Sequence, residues 1–361
     1  MSGREGVDPM LRTLIIGLGQ AGWTLHLPVL TRLRDSAYGE GLFSAEPIVV
    51  YDPDRLPAGR RDGTIAPKRS LKEAREVLDP ARTVVHVCTP PSARIEVLRQ
   101  VAELGFRKVL VEKPLSADRA GIARILEVRD AWDLNLSVVS HWLDSTLTRR
   151  LTKLVYSGRL GELRSIEATQ RKPRFSRSLD TNGHPSAFDV EVPHSLAVAL
   201  RLAGEATVVD ASWSDMEVNG HLIPRMGAAR LVLRHDHGVR TEIFSELTSL
   251  LRERRITLEF ERGRVTGYYP VSRDDDHALM TVETDGREET EIFRDDSLAS
   301  FLMRTYRGYA AGHRITSDLE LNVEIVSLLS DAKHLCEAGG RETAGVPGTA
   351  PSSPGTVKHV R

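Results

Sequence analysis

Residues 14–22, LIIGLGQAG, constrain this chain more than any other stretch, because they set an unbroken apolar run against a glycine-rich turn. A strand buried on both faces of a parallel sheet is apolar throughout, as Leu14, Ile15 and Ile16 are. Gly17 then permits a tight turn, Gly19 lets backbone approach a ligand, and Gly22 lets a helix pack against the strand. Gln20 and Ala21 would open that helix, where free N–H groups and the positive end of the helix dipole suit a pyrophosphate. The ligand expected is a dinucleotide.

At 361 residues the chain is longer than one hydrophobic core usually serves, so two domains are expected. Lys and Arg number 49 against 50 Asp and Glu, with no uniformly basic block, which gives no support to a nucleic-acid or membrane surface. A small molecule is the partner this balance favours. Cys88 and Cys336 are the only cysteines. Cys88 sits in an apolar run and reads as a buried thiol rather than half of a bridge or a metal ligand, which fits a reducing cytoplasm and no metal site. No apolar segment nears bilayer-spanning length and the first residues lack a signal peptide's apolar core, so a soluble cytoplasmic protein is expected.

Further strands are expected at residues 48–52, 83–88, 108–112 and 135–139, with amphipathic helical stretches between them and Pro28 in the first turn of a short second helix. Strands alternating with helices mean α/β: a doubly wound parallel sheet, the Rossmann arrangement, over residues 10–140. Later, Ile256, Leu258 and Phe260 alternate with polar residues, and turn signals stand at Gly238, Gly263 and Gly286. With helices at 195–202 and 319–336, this predicts a C-terminal α+β domain over 141–337 with a mostly antiparallel sheet. Residues 1–9 and 338–361 read as disordered tails.

Asp52 ends the second strand, where a carboxylate can accept both hydroxyls of an adenosine ribose and repel a 2′-phosphate. That favours NAD, with NADP as the alternative because Arg55 is near; a plain turn-forming Asp before Pro53 is the other reading. Glu112, Lys113 and Pro114 follow an apolar strand and so lie at its carboxyl end, the side on which open α/β sheets bind ligands. An ammonium there can stabilise an oxygen that gains negative charge.

Taken with residues 17–22 and 87–91, the Glu-Lys-Pro element resembles the glucose-fructose oxidoreductase and inositol dehydrogenase (Gfo/Idh/MocA) family, as do Gly158 to Gly161 and His194 ahead of a helix ending at Gly204. The resemblance implies an NAD(P)-dependent oxidoreductase that moves a hydride between nicotinamide and a hydroxyl or keto carbon of a sugar, cyclitol or amino-sugar derivative. It places Thr89, Pro90 and Glu112 at the cofactor, Lys113, joined to Pro114 by a cis peptide, as the group polarising substrate, and His194 as general acid and base. Val190 and Val192 stand where relatives carry Asp and Gly, so Glu191 is the first candidate to orient His194, with Asp189 as the second. Arg94 replaces another residue, a frequent histidine.

On the segment that lines the cleft in relatives lie Arg171, Lys172, Arg174 and Arg177, which fit an anionic group on the substrate or, equally, a solvated basic loop. His141 and Trp142 would stack on a sugar ring, unless Trp142 is core. A homodimer or homotetramer is expected, through the sheet face carrying Ile256, Leu258, Phe260 and Val265. Two other functions share this architecture: an imine or C=C reductase, and a non-catalytic dinucleotide-sensing regulator.

Overall fold

A computed structural model describes residues 10–55, 63–180, 183–272 and 275–343. The first sheet has the order β3-β2-β1-β4-β5-β6, every neighbouring pair parallel. Its strands are β1 (Arg12–Ile16), β2 (Ile48–Tyr51), β3 (Ile65–Lys68), β4 (Thr83–Val87), β5 (Lys108–Val111) and β6 (Asn135–Val138). Helices α1 (Leu27–Arg34), α2 (Leu71–Val77), α3 (Arg94–Glu103) and α4 (Arg119–Ala131) make the crossovers. The unpredicted strand, β3, carries Pro67 and lies at the sheet edge, where a missing N–H costs no ladder bond. Ahead of α1, Gly22–His26 form a wider π-type turn closed by the Leu27 N–H on the Gly22 carbonyl. This widening accommodates Pro28, whose ring would crowd the carbonyl four residues back in a regular helix.

The second unit begins with α5 (Thr146–Ser157), β7 (Leu163–Arg171), α6 (Phe175–Asp180) and α7 (Val192–Ala203). Strands β8 (Ala206–Trp213), β9 (Met216–Val218), β10 (His221–Ile223), β11 (Ala228–His235), β12 (Arg240–Glu246), β13 (Glu253–Phe260), β14 (Gly263–Tyr268), β15 (His277–Thr284) and β16 (Arg287–Arg294) follow. β9 and β10 pair alone; the others join β7 in an eight-stranded sheet, ordered β16-β15-β14-β13-β7-β12-β11-β8, in which only the β7–β12 pair is parallel. Helices α8 (Ser297–Ala310) and α9 (Ser317–Thr343) close the chain.

Four expectations are corrected here. Ile256, Leu258, Phe260 and Val265 are buried against Leu147 and Leu151 of α5 and Val198 and Leu202 of α7, so this chain covers the face expected to need a second copy. α8 packs Phe301, Leu302, Tyr306 and Tyr309 on the first sheet, and Leu319 and Val326 of α9 join that sheet's other core, so both helices cross the boundary drawn at 140. α9 also runs past 338 to Thr343, into the tail expected over 338–361; the rest of that tail and the one expected over 1–9 lie outside the described residues. Cys88 is half-buried rather than fully buried, and both cysteines are free thiols. Among the described residues no helix is long and apolar enough to cross a membrane.

Candidate active site

β1 and β4 are neighbours from which the strand order runs in opposite directions, which makes their carboxyl ends the crevice where such sheets take a ligand. Each glycine of the turn there has its own steric reason. Gly17 has φ +91° and a Cβ on it would meet the Cys88 carbonyl carbon at 2.9 Å. A Cβ on Gly22 would come within 2.0 Å of the Gly17 oxygen, whereas around Gly19 there is open space. Gln20 and Ala21 are the first helical residues after it. Asp52 is drawn to the same turn: its carboxylate accepts from the Leu18 N–H at 2.5 Å and the Asp54 N–H at 2.9 Å. Thr89 follows β4 with its hydroxyl buried and unpartnered, and Pro90 caps the short turn Pro91–Ala93. An open approach at Gly19, a carboxylate at Asp52 and a spare hydroxyl at Thr89 fit a dinucleotide laid across the turn.

Arg94 is buried beside this site. Its Nε and Nη2 donate to the Thr89 carbonyl at 3.3 and 3.2 Å, Nη1 has no partner, and burial lowers its pKa to about 10 against the pull of Glu112.

At the end of β5, Glu112 and Lys113 turn to different partners. Glu112 accepts from His26 Nε2 at 2.7 Å, His26 Nδ1 meets His86 Nδ1 at 2.7 Å, and His86 Nε2 meets the Tyr306 hydroxyl at 2.8 Å. Tyr306 ends the chain on Thr13 at 2.7 Å. Burial opposes a charge on His26, but Cys88 and Glu112 outweigh it and raise its pKa to about 10. His86, also buried and facing that charge, is pushed well down and stays neutral. His26 is therefore the cation that keeps Glu112 ionised. The sequence reading missed both histidines; the signal available was one histidine inside an otherwise apolar strand.

Lys113 precedes the cis Lys113–Pro114 peptide expected from the resemblance, and its Nζ donates to the Val190 carbonyl at 2.7 Å. Burial lowers its pKa to about 8, with Glu191 and Glu112 holding it up. α7 brings His194 to the same region: Pro193 stands in its first turn and Gly204, with φ +80°, ends it. The His194 ring stacks on Trp142 at 5.3 Å and meets His141 edge-on at 4.9 Å. Burial first, then the charge of Lys113, pushes its pKa well down, so the ring is neutral. Its nitrogens have no hydrogen-bond partner among the described residues.

The structure separates the two carboxylates from the role expected of them. Glu191 turns to Lys172 and, at 3.8 Å, to Arg254. Asp189 accepts from Lys333 at 2.5 Å and from Ser186 at 2.8 Å. Neither carboxylate contacts the His194 ring: α7 begins only at Val192, so Glu191 is its cap rather than part of the helix, and Asp189 lies in the short turn before it. Trp142 is 5% exposed and stacked on Tyr269 at 4.1 Å, so it supports His194 as core rather than offering a face to a sugar. His141 is half-buried, bonds Ser297 at 2.8 Å, and is pushed by burial down to about 4. Arg171 is not brought to the cluster: it pairs with Glu246 and Glu253, each at 3.4 Å, while its neighbour Gln170 points through the opposite face to Glu191 and Ser195.

Comparison with known proteins agrees with this geometry. Residues 11–138 match the family model GFO_IDH_MocA, described as an oxidoreductase family with an NAD-binding Rossmann fold. This part of the chain is similar to that family. An inositol 2-dehydrogenase of Leifsonia xyli subsp. xyli is 29% identical over 192 residues, 50% of this chain and 52% of that protein. The chain thus spans about half the length of the curated relative it matches. Among solved structures, KijD10, a 3-ketoreductase from Actinomadura kijaniata in complex with NADP and TDP-benzene, superposes with a TM-score of 0.74 at 18% identity, over 91% of this chain and 98% of that one. UDP-N-acetylglucosamine 3-dehydrogenase GnnA from Acidithiobacillus ferrooxidans does so with a TM-score of 0.68 at 17% identity, over the same shares, 91% and 98%. The fold of both sheets is therefore shared with these two structures.

Proposed function

We propose that this chain is an NAD(P)-dependent oxidoreductase acting between a hydroxyl and a keto carbon of a sugar, cyclitol or amino-sugar derivative. One observation carries the reading: Lys113 at the end of β5 and His194 at the start of α7 lie close enough for the charge of one to act on the other, one a cation with hydrogen-bond donors to spare, the other a neutral imidazole with no hydrogen-bond partner among the described residues. In the oxidative direction, the imidazole of His194 takes the hydroxyl proton while the Lys113 ammonium donates to the oxygen as it gains charge. A nicotinamide held at the Gly17–Gly22 turn would supply the acceptor for the hydride that the carbon gives up. Reduction runs these transfers backwards, with His194 returning the proton. Trp142 and His141 hold the imidazole in place by packing. The family-model match over residues 11–138, and a ketoreductase and a dehydrogenase among proteins of the same fold, support this reading.

Asp52 supports NAD as the preferred cofactor, since its carboxylate would repel a 2′-phosphate at the ribose end of the site. Titration of both dinucleotides tests this: NAD(H) should bind more tightly, and Asp52→Ala should narrow the difference. Turnover of the purified protein on a panel of polyols and keto-sugars, followed by nicotinamide absorbance, tests the reaction. No turnover with either dinucleotide would leave the regulator reading in its place.

A further inference from the structure

The proposed reaction leaves one buried cation without a task. Arg94, the first residue of α3, is 2% exposed, yet its guanidinium is only partly satisfied. Nε and Nη2 donate to the Thr89 carbonyl, while Nη1, with two N–H groups, has no partner among the described residues. The hydroxyl of the same threonine is buried and equally unpartnered. Buried donors left in this way cost free energy unless a ligand accepts from them. Both groups stand just past the carboxyl end of β4, at the crevice between the two halves of the first sheet.

Charge at this point is also incompletely balanced. Glu112 is the carboxylate that acts on Arg94, but its side chain is already bonded to the His26 cation at 2.7 Å. Lys113 has Glu191 as its first counter-charge. Two buried cations, His26 and Arg94, therefore share one carboxylate next to Lys113. Strand order says which part of a dinucleotide meets them. Asp52, which suits the adenosine ribose, follows β2 on one side of β1, whereas Thr89, Glu112 and Lys113 follow β4 and β5 on the other. Hydride transfer beside Lys113 puts the nicotinamide half on the side that holds Arg94.

We propose that Arg94 determines which redox form of the cofactor the site prefers: Nη1 donates to an oxygen of the nicotinamide half, and the guanidinium charge favours the uncharged reduced ring over the cationic oxidised one. This placing of the nicotinamide rests on the proposed reaction. Both redox forms carry the same pyrophosphate and riboses, so only the charge of the ring separates them, and like charges repel strongly where water is excluded. A ten-fold preference for the reduced form raises the potential of the bound couple by about 30 mV. On the protein, that draws the equilibrium toward hydride acceptance, the oxidation of a hydroxyl.

Calorimetric titration of the full-length protein, with no substrate present, tests this with three probes: NADH, NAD⁺, and ADP-ribose, which lacks the nicotinamide. In wild type, NADH should bind at least ~10-fold more tightly than NAD⁺, and NAD⁺ no more tightly than ADP-ribose. Arg94→Gln removes the charge and should shrink the ratio of NADH to NAD⁺ affinity at least ~5-fold. Arg94→Lys keeps the charge and should keep the ratio, even where both affinities fall. A role confined to holding the Thr89 carbonyl would weaken all three probes alike, so a ratio unchanged by Arg94→Gln, or abolished by Arg94→Lys, would overturn the inference. Should Arg94→Gln not fold, the wild-type order still decides, since NAD⁺ binding as tightly as NADH is incompatible with it. Failure of every probe to bind would remove the cofactor reading as well, whereas the expected ratios with no turnover of any sugar would keep the role of Arg94 and remove the reaction.

Discussion

In the proposed reaction Lys113 is the residue on which the chemistry turns, and its two acidic neighbours hold its proton against burial. Lys113→Met should leave dinucleotide affinity nearly unchanged and cut kcat by a factor corresponding to about 3 kcal/mol, the cost of losing one donor to a developing oxyanion. A kcat close to wild type would remove the role given to this lysine. Glu191, turned to Lys172 and Arg254 rather than His194, acts on the same lysine through its charge. Deleting that charge disfavours the ammonium, so Glu191→Gln should move the alkaline limb of kcat/KM, set by Lys113 near pH 8, to lower pH. Movement of the acidic limb alone would instead return Glu191 to His194. Asp189→Asn should spare the profile and cost about 3 kcal/mol of stability, because it strands Lys333 in a buried pair.

Among the elements, β1, the turn before α1, β4, β5 and α8 are tied by the buried run from Thr13 through Tyr306, His86 and His26 to Glu112. Folding raises the His26 pKa from its ordinary value of 6.5 to about 10. Its contribution to stability is therefore complete below about pH 6.5, shrinks as pH rises, and is gone above about pH 10. Thermal unfolding of wild type and His26→Gln across pH 6 to 10 should show the largest gap in Tm at the acid end, closing toward the alkaline end. A gap independent of pH would mean that His26 is neutral in the folded protein. The same run holds Glu112 beside Lys113, so the network underlies the cleft as well as the core.

At the level of the whole molecule, the chain returns to its first sheet after building its second. Tyr306 bonds Thr13, Tyr309 bonds the Val109 and Asn135 carbonyls at 2.8 and 3.1 Å, and Asn135 bonds the His313 carbonyl at 2.7 Å. Phe301, Leu302, Tyr306 and Tyr309 close an apolar core that residues 10–140 leave open. A chain ending at residue 140 should accordingly lack a cooperative unfolding transition, since it loses those side chains and exposes their partners. A sharp two-state transition in that truncated chain would show the first sheet to be self-sufficient. The outward face of the second sheet carries ion pairs, Arg230 with Asp210 and Glu242, and Arg264 with Glu259. If copies associate through it, sedimentation should show a dimer or tetramer that weakens as salt is raised.

Local physics made much of this readable in the chain itself. The apolar run into Gly17, Gly19 and Gly22 implied a strand, a turn and a helix because glycine and unbroken hydrophobicity carry their meaning within a few residues. The carboxyl-end position of Asp52 and Lys113 followed from strand direction in the same way. Partners were not readable. Glu191 found Lys172 and Arg254, Asp189 found Lys333, Arg171 found Glu246 and Glu253, and His26 found His86, because each partner comes from another element and the choice depends on which faces meet. The apolar stripe on β13 was legible as one face of a sheet, yet whether α5 and α7 or a second copy would cover it depended on long-range packing. Periodicity states that a surface must be buried; only the folded chain decides against what.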